Sequence, residues 1–139
     1  MTDFPRDRYC PEAFVSAFES SAAITNADPP YYSFAIGDEI IEVHFPERFM
    51  EDLTPKDLSM ARSALQNVRA MDNLVQETCE RDFNRSEYDV SQFLFRIAYF
   101  EIRGGGTALC YWGTAVNTEW EATFAPTSTG VWRPIGNWC

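Results

Sequence analysis

The sequence predicts a single α+β domain over residues 1–139: a curved antiparallel sheet of about five to six strands, one long helix packed across it and a short N-terminal helix. Three observations lead there. Apolar residues recur at three- to four-residue spacing over residues 54–83, the period of an amphipathic helix. The segments at 31–45 and 93–135 are instead rich in aromatic and branched residues and broken by glycine, proline and asparagine. No repeat, low-complexity tract or linker divides the 139 residues, a length that can bury one sizeable core.

The first element is a helix in "PEAFVSAFESSAA", residues 11–23. Pro11 suits a first helical position, Glu12 complements the N-terminal dipole, and Phe14 and Phe18 lie one turn apart. "TNADPP" ends it. "YYSFAIGDEIIEVHF" then reads as a hairpin turning on Gly37 and Asp38. In that register Phe34 faces Ile41 and Tyr32 faces Val43. Tyr32, Phe34, Ile36, Ile41, Val43 and Phe45 share one face, and Ser33, Glu42 and His44 the wet one.

The long helix begins at Thr54 as N-cap, with Pro55 at the first position and Asp57 in an acidic first turn. Its stripe runs through Leu58, Ala61, Leu65, Val68, Met71 or Asp72, Val75 and Cys79, with Arg62, Arg69, Glu77 and Glu80 mostly off it. A helix of roughly 25 to 28 residues would span about 40 Å. Beyond it, "FLFRIAYFEIR", "TALCYW", "TEWEATF" and "VWRPI" read as successive antiparallel strands. Alternation in the third sets Trp120, Ala122 and Phe124 on one face and Glu119, Glu121 and Thr123 on the other.

Composition narrows the class. The chain is 45% hydrophobic and 15% aromatic, too rich for a disordered protein, yet no run approaches the ~20 apolar residues of a membrane span. The N-terminus has no apolar run behind a basic start, which predicts a cytoplasmic location. Cys10, Cys79, Cys110 and Cys139 form no CxxC motif, and His44 is the single histidine, so neither a metal nor a cofactor is expected. The cysteines are read as reduced thiols.

Charge is lopsided. The net charge is -10, and residues 1–53 carry 11 acids against 3 bases. Such a field repels nucleic acid and anionic membrane and speeds encounter with a basic protein. Asp38, Glu39, Glu42, Glu47, Glu51 and Asp52 lie close together in sequence and form the candidate partner-binding cluster. The competing reading is a solvated edge.

Catalytic signatures are weak. Glu119 and Glu121 are paired carboxylates, but alternate glutamates are the common pattern of any wet sheet face. "RGGG" at 103–106 precedes no helix and so reads as a hairpin loop rather than a phosphate cradle. No catalytic residue is assigned. A pocket between helix and sheet near Tyr99, Tyr111, Trp112 and Trp120 is the candidate site for the alternative of a small enzyme or ligand-binding protein.

"MDNLVQETCERDF", "FRIAYFEI" and above all "LCYWGTAVNTEWEATF" followed by a tryptophan strand resemble a loose group of small bacterial proteins. That group is itself similar to immunity proteins that accompany secreted antibacterial toxins. The resemblance covers residues 54–138 and leaves the acidic first 53 outside. It implies a non-enzymatic protein that binds and inhibits a cognate, basic toxin. A mobile-element inhibitor of a host nuclease would share the same acidic physics.

Overall fold

The computed structural model describes residues 6–24, 31–46, 53–82, 96–103, 107–113 and 119–135; for 23–24, 79–82, 107–113 and 119–121 this extends to the backbone alone. The chain is α+β, as expected. It runs α1 (Pro11–Ser20), β1 (Ala23–Ile24), β2 (Tyr31–Ile36), β3 (Glu39–His44), α2 (Pro55–Gln66), α3 (Val68–Asp82), β4 (Arg96–Arg103), β5 (Thr107–Gly113), β6 (Glu119–Pro126) and β7 (Trp132–Ile135). The seven strands form one sheet in chain order.

The β2–β3 hairpin has the expected register, with Tyr32 opposite Val43 and Phe34 opposite Ile41. Of its two turn residues only Gly37 has a positive φ, at 59°, so glycine occupies the position where a side chain would be strained. Phe34, Ile41 and Val43 are buried. Phe14 and Phe18 of α1 reach the same face and meet Phe34 edge-to-face, with ring centroids 6.2 and 6.3 Å apart. Phe18 also meets Tyr32 at 5.1 Å.

Three expectations are corrected. The single long helix is two helices. Thr54 caps α2 through a reciprocal box, its hydroxyl accepting from the Asp57 amide at 3.2 Å while the Asp57 carboxylate accepts from the Thr54 amide at 2.9 Å. The break comes at Asn67, whose side chain is committed elsewhere: Nδ2 donates to the carbonyls of Ser63 at 2.9 Å and Gly130 at 3.3 Å, and Oδ1 accepts from the Trp132 amide at 3.3 Å. Asparagine that bonds backbone in this way competes with helix propagation. The Trp132 indole donates to Ser63 Oγ at 2.9 Å, so the junction is stitched to β7.

The sheet is also wider than five to six strands, and not wholly antiparallel. β1 adds two residues beside β2. β3 and β4 pair in parallel, Glu42 opposite Tyr99 and His44 opposite Glu101, because the intervening helices carry the chain back before β4 starts. A register irregularity in β4 falls between Ile97 and Tyr99.

The three described helices pack apolar residues into one core with this sheet. Ala61, Ala64, Leu65, Val68, Met71 and Val75 meet Phe34, Ile41, Val43, Phe100, Ile102, Ala122, Phe124 and Trp132 in one core. Both residues between which the sequence left the stripe open, Met71 and Asp72, are buried. Among the described residues no helix is long and apolar enough to cross a membrane.

Candidate interaction face

Backbone alternation turns every second residue of the sheet away from the helices. The pairings align these positions into two rows. One row runs Ser33, Glu42, Tyr99, Tyr111, Glu121; the next runs Tyr31, His44, Glu101, Leu109, Thr123, Ile135. No described helix residue joins this side of the core. Its apolar members stay in solvent where they are described: Ile40 is 60% and Ile135 41% exposed.

The centre of the face is a ring cluster. The His44 imidazole stacks on Tyr31 with centroids 4.8 Å apart and planes 14° from parallel, and meets Tyr99 edge-on at 5.3 Å. His44 Nε2 lies 2.8 Å from Glu42 Oε1. An ionised carboxylate can only accept, so Nε2 carries the hydrogen and the ring is fixed by both stacking and hydrogen bond. Glu101, opposite His44, accepts from Arg103 Nη2 on Oε1 at 2.7 Å. Two carboxylates and two rings therefore alternate on adjacent strands: Glu42 beside Tyr99, His44 beside Glu101.

The predicted acidic cluster is divided by this geometry. Asp38 is exposed in the hairpin turn. Glu39 accepts from the Tyr9 hydroxyl at 3.5 Å and lies 3.7 Å from Arg96. Glu42, three residues on, falls on the opposite side of β3, in the ring cluster. Glu47, Glu51 and Asp52 lie outside the described residues. Glu39 is thus held by the fold's own groups, and Glu42 remains on the open face.

Of the proposed pocket residues, Tyr99 contacts His44 on the side away from the helices. Tyr111 pairs with Tyr99, and Trp112 pairs with both Ile97 and Trp120; the side chains of Tyr111, Trp112 and Trp120 lie outside the described residues. A groove of about 440 Å³ occurs elsewhere, between α1 and α2, lined by Pro11, Glu12, Val15, Ser16, Glu19 and Gln66. Among the described residues no three His, Cys, Asp or Glu side chains gather as a metal site.

Sequence reasoning placed Glu42 and His44 on the wet face but missed Tyr31 and Glu101 as their neighbours. The hairpin alternation was a signal for Tyr31. Glu101 depends on the parallel pairing of β3 with β4, which has no local signature.

On the other side the N-terminal segment is tied to α3 and β4. Arg8 donates from Nε to Asp72 Oδ2 and from Nη2 to Oδ1, both at 2.9 Å. Burial works against the Arg8 charge, but the hydrogen bonds and charge of Asp72 hold its pKa above the ordinary value. Burial pushes the Tyr9 phenol up to about 12, and its hydroxyl accepts from the Ile97 amide at 3.2 Å. Glu12 is held below the usual carboxylate range by its own backbone amide at the start of α1 and by the Cys10 thiol.

No protein-family model, curated protein or solved structure matches the chain.

Proposed function

We propose that this protein is a non-enzymatic inhibitor, an immunity protein that binds a cognate basic toxin in the cytoplasm and blocks it. The observation that carries this reading is the open sheet face with Glu42, His44, Tyr31 and Tyr99 held in one cluster, in a chain of net charge -10. A preorganised surface of rings and carboxylates supplies both parts of protein recognition. Rings give rigid contact area at low entropic cost, and the charge steers a basic partner and raises its association rate.

The resemblance of residues 54–138 to immunity-like proteins supports the same conclusion. Co-expression with neighbouring toxin genes, followed by capture on the tagged protein and washes of rising salt, tests it. The expected result is one stoichiometric basic protein released at high salt, whose toxicity the chain suppresses in cells. Recovery of a bound small molecule and no protein partner would instead point to the ligand-binding alternative.

A further inference from the structure

The open face combines two carboxylates with aromatic rings, and the bonds already made there show what chemistry it accepts. Glu42 takes an N–H of His44 on Oε1, and Glu101 takes a guanidinium N–H of Arg103 on Oε1. In each the second oxygen, Oε2, makes no hydrogen bond among the described residues. The Glu42 side chain is 38% and that of Glu101 20% exposed, so both carboxylates are partly open to solvent.

Their spacing fits one ligand group. Glu42 and Glu101 stand diagonally across the parallel β3–β4 pair. Strands about 4.8 Å apart with a rise of about 3.3 Å per residue set their backbones roughly 8 Å apart. Side chains that lean inward from that separation can hold a planar group with donors on two edges. A guanidinium has this form; an ammonium, with three donors around one compact, strongly hydrated charge, can reach two carboxylates but has no planar donor edges to match them. The His44 and Tyr99 rings meet across the other diagonal of the same four positions, with Tyr31 stacked on His44 from β2, and such rings favour a flat, weakly hydrated cation over a strongly hydrated one.

We infer that the face around Glu42 and Glu101 is an arginine-reading docking surface for a basic protein partner, whose guanidinium bridges the two free carboxylate oxygens beside the rings. The inference rests on the inhibitor reading for the partner's charge and adds the surface and the side chain that it recognises. Arg103 and His44 act as built-in neighbours that orient the two carboxylates.

Hexa-arginine and hexa-lysine peptides are the probes, followed by amide chemical shifts of the full chain. The account expects hexa-arginine to perturb residues 42, 44, 99 and 101 first, and to bind at least ten-fold more tightly than hexa-lysine. Glu42→Gln with Glu101→Gln, which keeps shape and removes charge, should weaken hexa-arginine at least ten-fold while the remaining amide spectrum stays that of the folded protein. Equal binding of both peptides, an unchanged double variant, or shifts centred on Asp38 or on Glu12 and Glu19 would overturn the surface. The peptides need no toxin, so that failure would leave the inhibitor reading to its own capture experiment. A captured partner that is not basic would instead overturn the inhibitor reading.

Discussion

Arg8 holds the carboxylate of Asp72 by two hydrogen bonds of 2.9 Å each, across 64 positions of chain. Asp72 is 1% exposed, so this bidentate pair is what allows an acid to stand in the apolar stripe of α3. Removing one partner of such a pair costs about 3–5 kcal/mol, because the other charge stays buried without its counter-charge; Asp72 would keep the Gln76 amide, which donates to its Oδ1 at 3.2 Å. Arg8→Ala should therefore lower the unfolding free energy by that amount, seen in urea titration as a lower midpoint at unchanged slope. Arg8→Met combined with Asp72→Leu should recover part of the loss: no unpaired charge remains, but the buried Gln76 amide loses Asp72 Oδ1 as its acceptor, at about 1–3 kcal/mol.

The Tyr9 phenol gives the fold an alkaline limit. Its folded pKa, about 12, lies above the ordinary value of 10.0, so the neutral form is the one the fold prefers. The corresponding stability is fully present below pH 10 and is lost as pH rises towards 12, where the unfolded chain releases its proton first. A rise from 10.0 to about 12 corresponds to roughly 2–3 kcal/mol. Tyr9→Phe should be less stable than the parent at pH 8, having lost the hydrogen bond to the Ile97 amide. The gap should narrow between pH 10 and 12 in parallel urea titrations.

Asn67 joins the helix junction to β7. Its replacement by alanine strips the Trp132 amide of its acceptor and should cost about 1–3 kcal/mol. The distinguishing readout is hydrogen exchange. Protection should fall at Trp132 well before it falls at Phe100, because the lost bonds belong to the β7 side of the sheet.

Gly37 tests the hairpin. A Cβ there meets nothing within 4 Å, so the cost of Gly37→Ala is that of the positive φ alone, about 1 kcal/mol. Gly37→Asn should cost less, because asparagine tolerates that conformation. Thermal unfolding of the two variants distinguishes backbone strain from lost packing.

Local chemistry was readable where it acts locally. The hairpin register follows from alternation around Gly37, and the start of α2 from Thr54, Pro55 and Asp57. What could not be read depends on distant partners. Nothing within residues 54–83 says that Asn67 bonds to Gly130 and Trp132, so the helix reads as unbroken. Asp72 fits a core position only once Arg8 is known to reach it. The same holds for the face: Glu42 and His44 are visible as a wet edge, but Glu101 joins them only through a parallel pairing created by the crossover. Proximity in sequence also misled at Glu39, which the fold keeps beside Tyr9 and Arg96.

The most direct measurement is the association rate of the captured basic partner with the parent and with the Glu42→Gln, Glu101→Gln variant, each at low and high salt. The account predicts fast, salt-sensitive association for the parent. It predicts at least ten-fold weaker binding and a shallower salt dependence for the variant. Identical rates and affinities for the two proteins would contradict it, and would move the contact away from the open face of the sheet.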